Sequence, residues 1–353
     1  MQELNQFCTN FRKDFYPTQQ DPNKPVSFWT EKELLHREIV DAFVIILRTQ
    51  GCSWGVHSGC TMCGYHADSM LTTVTDKQLL AQIDHALTNY TNQPVVKIFT
   101  SGSFFDTREI SMHIQKKIFE KLREKPVQKI SVESRPEYIT DHTLSHAKDN
   151  LQQTSLEIGI GLETAHDLIR EYTINKGFTF SAYLHATELM KKYNVQTKTY
   201  LLIKPPFVTE WEALNDTLQS IQKIAETTDT ISLNPTNIQR FTVVEFLWRR
   251  KHYRPPWLWS IISILHQGKK LFPGILKCDI TGGGTPRGAH NCGTCDHRIL
   301  TAISAFSLNQ NTDIFNDLSC DCQTLWQDQL DVEAFSFQSY PDFSEETPYA
   351  YRC

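Results

Sequence analysis

Short apolar runs rich in β-branched residues alternate along the chain with longer stretches whose apolar residues recur three and four positions apart. Six runs have the length and composition of strands: 43–49 (FVIILRT), 95–100 (VVKIFT), 129–134 (KISVES), 155–163 (SLEIGIGLE), 196–203 (QTKTYLLI) and 229–235 (DTISLNP). Between them, DKQLLAQIDHAL and REISMHIQKKIFEKL have the apolar spacing of amphipathic helices. Six repeats of strand and helix predict a parallel sheet, because each parallel pair needs a crossover connection and continuously apolar strands are covered on both faces.

This pattern predicts an α/β fold, with an open, partial (β/α)6 barrel as the first choice and a doubly wound sheet as the second. The alternation ends near residue 240, where Pro, Gly, Cys and Trp become dense. We therefore predict an N-terminal arm over residues 1–40, a partial barrel over 41–240, and a smaller, cysteine-rich domain over 241–353 that binds metal and contacts RNA or a partner.

The composition is that of a globular protein, since 40% of the 353 residues are apolar and 11% are aromatic. The N-terminal stretch has neither the basic start nor the apolar run of a secretory signal, and the longest apolar runs fall short of the ~20 residues that cross a bilayer. We therefore expect a cytoplasmic protein that does not span a membrane. The net charge of −5 argues against nucleic-acid binding through global charge and leaves room for a local basic patch.

Three of the ten cysteines, Cys52, Cys60 and Cys63, follow the first predicted barrel strand within RTQGCSWGVHSGCTMCGYHADS. In a chain without an export signal, clustered cysteines indicate metal ligands or reactive thiols rather than disulfides. A tetrahedral zinc site needs four ligands, whereas three thiolates on one loop suit a [4Fe-4S] cluster with its fourth iron open. The alternatives are a zinc site completed by His57 or His66, and buried thiols without a metal.

The three cysteines after the first strand of a (β/α)6 chain resemble the radical S-adenosylmethionine (radical SAM) superfamily, whose open iron binds the amino and carboxylate groups of SAM. The usual spacing is C-x3-C-x2-C, and the C-x7-C-x2-C spacing of this chain is similar to the longer loop of the tRNA-modifying Elongator branch. The resemblance implies that Cys52, Cys60 and Cys63 hold the cluster. Met62 stands where an aromatic residue usually packs on the adenine, and Tyr65 is the candidate to replace that contact.

The same resemblance implies SAM-binding residues at the ends of later strands. TSGSFFD stands where backbone carbonyls bind the amino group of SAM, and VESRPE resembles a segment that binds its ribose and carboxylate. GIGLET leaves room for the adenine, and SLNPTNIQ brings polar side chains to the same mouth. A structural ion pair at the rim is the alternative for the arginine of VESRPE. The implied SAM-binding residues in these segments are Ser101, Gly102, Ser103, Glu133, Arg135, Gly161, Glu163 and Asn234.

Longer segments are similar to one family, the radical SAM (beta) subunits of archaeosine synthase. They include GLETAHDLIREYTINKGFTF, LLIKPPFVTE, ISLNPTNIQRFTVVEFLWRRKHYRPPWLWS and GGGTPRGAHNCGTCD. The resemblance implies a lyase whose alpha subunit attaches lysine to the nitrile of 7-cyano-7-deazaguanine in tRNA. The beta subunit then cleaves a carbon–nitrogen bond of the lysine adduct through a 5′-deoxyadenosyl radical and leaves archaeosine. The implied partners are tRNA, the alpha subunit and an electron donor.

A second group of cysteines lies in HNCGTCDH and LSCDCQ, after residue 240. Two pairs separated by a short stretch are typical of a closed, structural four-cysteine zinc site. A nearby cysteine or His290 is an alternative member, and a second iron–sulfur cluster is the alternative to zinc. The candidate ligands are Cys278, Cys292, Cys295, Cys320 and Cys322.

The stretch LWRRKHYRPPWLW interleaves cations with aromatic rings, which are the groups that bind RNA phosphates and unstacked bases. The candidate RNA-binding residues are Arg249, Arg250, Lys251 and Arg254. A solvated basic face at a helix end is the alternative.

The sequence therefore predicts a radical SAM lyase of tRNA modification. One rival is a non-catalytic, zinc-bearing RNA adaptor. A second rival is an Elongator-like enzyme that modifies tRNA uridine, but the residues after 240 are too few and too rich in cysteine for its acetyltransferase domain.

Overall fold

The structure is a computed structural model that describes residues 2–13, 20–70 and 72–335. Residues 336–353 of the predicted C-terminal domain lie outside this description. The strands are β1 (Ser27–Leu35), β2 (Glu38–Ile46), β3 (Val95–Phe99), β4 (Lys129–Glu133), β5 (Ser155–Glu163), β6 (Gln196–Ile203), β7 (Thr230–Pro235) and β8 (Ile275–Cys278). The helices are α1 (Gln2–Lys13), α2 (Ser53–His57), α3 (Asp76–Leu87), α4 (Met112–Arg123), α5 (Asp141–Leu151), α6 (Asp167–Ile169), α7 (Phe180–Lys192), α8 (Glu210–Ile224), α9 (Val243–Arg249), α10 (Leu258–Leu271), α11 (Asp296–Asn309) and α12 (Cys322–Ala334).

Within the described ranges, eight strands form one sheet whose spatial order follows the chain from β1 to β8. The β1–β2 pair is an antiparallel hairpin, and the pairs from β2 to β8 are parallel. Because successive crossovers of one hand lead each time to the adjacent strand, the helices cover one face and the sheet curls into a half-barrel. The predicted α/β class and partial barrel are confirmed, and β2 to β7 are the six predicted strands.

The hydrophobic pattern misses β1 and β8. β1 carries Glu31 and Glu33, which form ion pairs in the structure, and β8 has only four residues. A strand with charged residues and a very short strand both lack the continuous apolar signature of a covered parallel strand. These two strands come from either side of residues 41–240, and the predicted division of the chain at residues 40 and 240 stays a prediction.

One hydrophobic cluster runs from the sheet to the C-terminal helices. It includes Phe43 of β2, Phe306 of α11 and Trp326 of α12. Several outer helices begin at a threonine that completes a capping box with the backbone, namely Thr75, Thr140 and Thr209. No helix in the described ranges is both long and apolar enough to cross a membrane.

Paired charges form a belt across the strands of the half-barrel. Lys97 of β3 and Lys277 of β8 both pair with Glu33 of β1, and Lys129 of β4 pairs with Glu157 of β5 at 2.8 Å. All five side chains are largely buried, and pairing offsets the cost of removing each charge from water. The parallel strands continue past this belt to their C-terminal ends, which form the mouth of the half-barrel.

Candidate active site

The loop after β2 carries the three N-terminal cysteines to the mouth of the half-barrel. Cys52 directly precedes α2, Cys60 follows that helix, and Cys63 stands two residues before a 3-10 turn at Tyr65–Asp68. All three side chains are partly buried. Burial raises the pKa of the Cys60 thiol to about 12, and the neighbouring Cys63 and Cys52 act in the same direction. The structure therefore places the three predicted cluster ligands on one loop at the mouth.

A segment after β5, Thr173–Phe178, supports one side of this cysteine loop. Asn175 donates its side-chain amide to Ser58 Oγ at 2.8 Å and to the Gly59 carbonyl at 2.9 Å. Trp54 of α2 donates its indole N–H to the Asn175 carbonyl at 2.7 Å. No local sequence pattern predicts this role of the segment, because its contacts with the cysteine loop cross more than 100 positions of the chain.

Residues after β7 support the other side of the loop. Gln239 Oε1 accepts a hydrogen bond from the Gly64 N–H at 2.5 Å. Met62 packs against the apolar cluster that contains Ile238 and Val244, so its side chain contributes to the packing of the loop. Tyr65 is more than half exposed and stands at the rim. The structure thus gives Met62 a packing contact where the sequence predicts an adenine contact.

The loop after β3 lies directly against the first cysteine. A Cβ atom at Gly102 would come within 2.9 Å of the Cys52 nitrogen and 2.1 Å of a Glu109 carboxylate oxygen, so only glycine fits there. Buried Glu109 accepts hydrogen bonds from the Ser103 N–H at 2.7 Å and from the Thr49 hydroxyl. Glu109 therefore holds together the loops after β2 and β3, a role that sequence reasoning missed. Ser101, Gly102 and Ser103 lie where the sequence predicts them.

Glu133 and Tyr200 meet inside the mouth. The Tyr200 hydroxyl of β6 donates to the Glu133 carboxylate at the end of β4, and burial raises the pKa of Glu133. Gly159 of β5 leaves room for this contact, because a Cβ atom there would lie 2.7 Å from the Tyr200 ring and 3.3 Å from Glu133. The Lys198 ammonium lies 4.8 Å from the centre of the Tyr200 ring. Asn234 is half-buried near the end of β7 at the same edge.

The guanidinium of Arg135 is engaged in hydrogen bonds and stacking contacts with other groups of the protein. It pairs with Glu137 at 2.5 Å and donates to the carbonyl of Lys176 at 2.9 Å. Its central carbon lies 5.8 Å from the Trp54 ring and 5.2 Å from the Phe178 ring. The structure therefore favours the structural alternative that the sequence left open for this arginine. Arg135 fixes the supporting segment against the cysteine loop.

Glu163, at the end of β5, forms an ion pair in the mouth with Lys176 of the supporting segment. Lys176 Nζ lies 2.6 Å from Glu163 Oε1, and a Cβ atom at Gly161 would come within 2.7 Å of the same nitrogen. The space beside Gly161, which the sequence assigns to the adenine, is thus shared with a lysine side chain. Glu163 has a φ of 70°, and the register of β5 with β6 shifts between Gly161 and Glu163. This irregularity turns the end of β5 at the mouth.

Four of the five C-terminal candidate cysteines converge in a separate group. The sulfurs of Cys292, Cys295, Cys320 and Cys322 all lie within 4.8 Å of one another, and neighbouring pairs are 3.7 to 3.9 Å apart. The structure does not bring Cys278 to this group. Its side chain is buried in the core at the end of β8, and its N–H bonds to the Ser307 hydroxyl at 3.0 Å.

The spacing of these four sulfurs fits one tetrahedral ion, because Zn–S bonds of about 2.3 Å place the sulfurs about 3.8 Å apart. The thiols of Cys52, Cys60 and Cys63 do not converge in this way, since the C-terminal group is the one such cluster in the described part of the chain. In a cubane, by contrast, each cysteine binds a different iron. The geometry thus favours different centres at the two groups.

The candidate RNA-binding residues divide into two classes. Arg249, Arg250 and Lys251 are exposed at the end of α9. Arg254 is mostly buried, donates to the His290 carbonyl at 2.7 Å and stacks 4.0 Å from the centre of the Trp257 ring. The first three side chains can reach a ligand, whereas Arg254 holds two segments of the protein together.

An open groove lies beside this basic stretch and has a volume of about 480 Å³. Its walls combine aromatic, basic and proline side chains, and Arg287 stacks 4.9 Å from the Trp248 ring at one wall. The residues that line the groove are Trp248, Lys251, His252, Tyr253, Arg254, Pro255, Pro286 and His290. Rings beside cations are the combination that binds unstacked bases and phosphates.

Known proteins were compared with the chain. The model of the radical SAM superfamily matches residues 46–219, and that superfamily comprises enzymes that use a [4Fe-4S] cluster and SAM. The chain is 39% identical over 338 residues to the archaeosine synthase subunit beta of Methanosarcina acetivorans. This match covers 95% of the present chain and 98% of the relative. It is 36% identical over 309 residues to the archaeosine synthase subunit beta of Thermococcus kodakarensis, with 86% and 95% of the two chains covered. The chain belongs to the radical SAM superfamily and, within it, to the family of archaeosine synthase beta subunits.

Proposed function

We propose that this protein is the radical SAM subunit of an archaeosine synthase and acts as a lyase on tRNA. Its substrate is the lysine adduct of 7-cyano-7-deazaguanine, which an alpha subunit forms, and cleavage of a carbon–nitrogen bond of the adduct leaves archaeosine. The observation that carries the proposal is the three-cysteine loop at the mouth of the half-barrel in a chain that aligns along 95% of its length with an archaeosine synthase beta subunit.

Cys52, Cys60 and Cys63 are the proposed ligands of the [4Fe-4S] cluster. A cluster bound by these residues would supply the electron that cleaves SAM, the chemistry by which radical SAM enzymes remove a hydrogen atom from a substrate. The contacts around the loop support this assignment. Segments after β3, β5 and β7 hold it from three sides, so the thiols remain ordered beside the mouth.

Backbone and side-chain groups of the mouth bind and orient the cofactor and the substrate. The carbonyls of Ser101–Ser103, a loop that Glu109 holds beside Cys52, would accept hydrogen bonds from the amino group of SAM. Glu133 and Tyr200 present oxygen atoms in the next layer of the interior, where Gly159 leaves space. The buried charge belt closes the interior below them with paired charges.

The exposed end of α9 and the groove beside it are the proposed contact with tRNA. Arg249, Arg250 and Lys251 face solvent beside Trp248, as phosphate and base contacts require. Arg254 supports the groove from within. We further propose that a zinc ion joins the four C-terminal cysteines and fixes the starts of α11, which Cys295 directly precedes, and of α12, which begins at Cys322.

Anaerobic reconstitution with iron and sulfide tests the function directly. The purified chain is reduced, given SAM and tRNA that carries the lysine adduct, and assayed by mass spectrometry for 5′-deoxyadenosine and archaeosine. Wild type should form both products, and Cys60→Ala should form neither and lose its iron. Cys353→Ala is the matched control and should behave as wild type.

Two outcomes contradict the proposal in different ways. Iron content and spectra of Cys60→Ala equal to wild type would reject the ligand assignment. Wild type that binds tRNA without cleaving SAM would favour the zinc-bearing RNA adaptor.

A further inference from the structure

Two cations lie near the cysteine loop, and the structure gives them different tasks. The Arg135 guanidinium pairs with Glu137, donates to the carbonyls of Lys176 and Gly177, and stacks beside Trp54. The Lys176 ammonium has one recorded side-chain partner among the described residues, Glu163 at 2.6 Å. An ammonium has three donors, so it can bind a further acceptor without breaking this pair.

The direction of Lys176 follows from the alternation of β5. Glu157, Gly159 and Gly161 lie two residues apart and share one face of the strand. Glu157 bonds to Lys129 in the charge belt and Gly159 contacts Tyr200, so this face is the interior of the half-barrel. Because Lys176 Nζ lies 2.7 Å from the Cβ position of Gly161, the ammonium is inside the mouth.

The backbone around Lys176 is fixed on both sides. Its N–H donates to the Arg170 carbonyl at 3.1 Å, and its carbonyl accepts from Arg135 at 2.9 Å. Gly177 has a φ of 75°, and a Cβ atom there would lie 2.6 Å from the Trp54 ring. The lysine therefore extends from an anchored backbone, and its side chain is 14% exposed. A cation held this firmly and this deeply is suited to bind one anion in a defined place.

We propose that Lys176 binds the carboxylate of an α-amino acid in the mouth, namely that of SAM. This inference rests on the proposed function, because it takes SAM as the cofactor of the three-cysteine loop. Ser101–Ser103 follow β3 and Lys176 follows β5, so the amino group and the carboxylate of SAM have separate protein partners. Arg135, the residue that the sequence assigns to this carboxylate, is a positioning residue that holds the backbone of Lys176.

The physical reason is charge. A carboxylate that leaves water for a half-buried site loses hydration, and a charge-assisted hydrogen bond from a fixed ammonium offsets that loss. Glu163 keeps the ammonium in place before SAM arrives. Cys60 is near enough for Lys176 to stabilise its thiolate, which places the cation beside the proposed cluster ligand.

The test measures SAM binding rather than turnover. Lys176→Met keeps the length of the side chain and removes its charge, and Lys77→Met, at an exposed site on α3, is the matched control. Each reconstituted protein is assayed for iron and then titrated with SAM by equilibrium dialysis without tRNA. We expect the SAM dissociation constant of Lys176→Met to rise about 10- to 100-fold. Lys176→Arg should recover part of the affinity, and Lys77→Met should match wild type.

Decarboxylated SAM identifies the group that Lys176 contacts. This analogue lacks the carboxylate, so Lys176→Met and wild type should bind it equally. The SAM-induced change in the electron paramagnetic resonance spectrum of the reduced protein should be lost in Lys176→Met and retained in Lys77→Met. If Lys176→Met does not retain iron, Gly161→Ala provides the second test, because its methyl group displaces the ammonium without removing it. Gly161→Ala should likewise weaken binding of SAM by a larger factor than binding of the analogue, because only SAM carries the carboxylate that the ammonium contacts.

Three outcomes overturn the inference. Unchanged SAM affinity in Lys176→Met rejects it, as does an equal loss of affinity for SAM and for the decarboxylated analogue. Unchanged SAM affinity with weaker binding of lysine-bearing tRNA would assign Lys176 to the carboxylate of the substrate instead. A failure of the proposed function is separate, because wild type itself would then fail to retain iron or to cleave SAM.

Discussion

The two cysteine groups of this protein have opposite architectures. The four C-terminal thiols converge to sulfur distances of 3.7 to 3.9 Å, and a hydrogen bond of 3.3 Å joins the Trp259 indole to Cys322. The three N-terminal thiols do not converge, and the loop that bears them is held by segments that follow β3, β5 and β7. The C-terminal sulfurs surround one common position, whereas the N-terminal cysteines line the open mouth of the half-barrel.

This difference shows how a chain prepares a closed site and an open site. A structural ion can complete its coordination within four thiolates, and the ion itself then ties the surrounding segments together. A catalytic centre must leave one side open for its ligand, so the protein has to order the loop by other means. Here Asn175 and Gln239 order it from outside, and Glu109 orders the neighbouring loop.

Separate cysteine substitutions should break the comparison most strongly. Cys63→Ala should lose bound iron and leave zinc unchanged. Its rate of SAM cleavage should fall about 1000-fold or more, because an essential cofactor ligand is missing. Cys292→Ala should lose zinc and lower the melting temperature by several degrees, because the ion contributes to folding. Both metals are measured in one sample by plasma mass spectrometry, and melting by calorimetry under argon. Loss of both metals in either variant would show that the two groups are not independent.

The sequence predicts the strands and the thiols of this site better than it predicts the surroundings. β2 to β7 could be predicted because buried parallel strands are continuously apolar, and the cysteines because their spacing is local. Glu109 and Lys176 could not be predicted, since their partners follow other strands and meet them only in the folded sheet. Arg135 follows β4, as the strand pattern predicts, but the direction of its side chain depends on Trp54 and on the supporting segment.

A buried carboxyl group should make the N-terminal site sensitive to pH. Asp216 of α8 accepts a hydrogen bond from Thr164 at 2.7 Å, and the Thr164 carbonyl in turn accepts one from Arg170, which precedes the supporting segment. Burial raises the pKa of Asp216 to about 7, whereas the unfolded value is about 3.9. Its contribution to stability is therefore complete below the unfolded pKa and is lost as the pH rises through about 7.

Asp216→Asn should remove this loss. Relative to wild type, the variant should gain unfolding free energy as the pH rises from 5 to 8, on the order of 2 to 4 kcal/mol at the upper end. Urea unfolding at a series of pH values measures the difference. Equal pH dependence of the two proteins would exclude Asp216 as the titrating group. At each pH the variant and wild type should retain the same amount of zinc, since the C-terminal thiols lie outside this network.

The smallest effect is expected in the groove, which adjoins the C-terminal cysteines through His290. If the metal orders the groove and its exposed cations bind phosphate, Lys251→Ala should weaken tRNA binding only a few-fold. It should also reduce the slope of log affinity against log salt by about one, because one phosphate contact releases about one counterion. Filter binding at several salt concentrations measures both, with Lys77→Ala as the control. An unchanged slope would place the tRNA elsewhere and leave the four-cysteine group with a purely structural role.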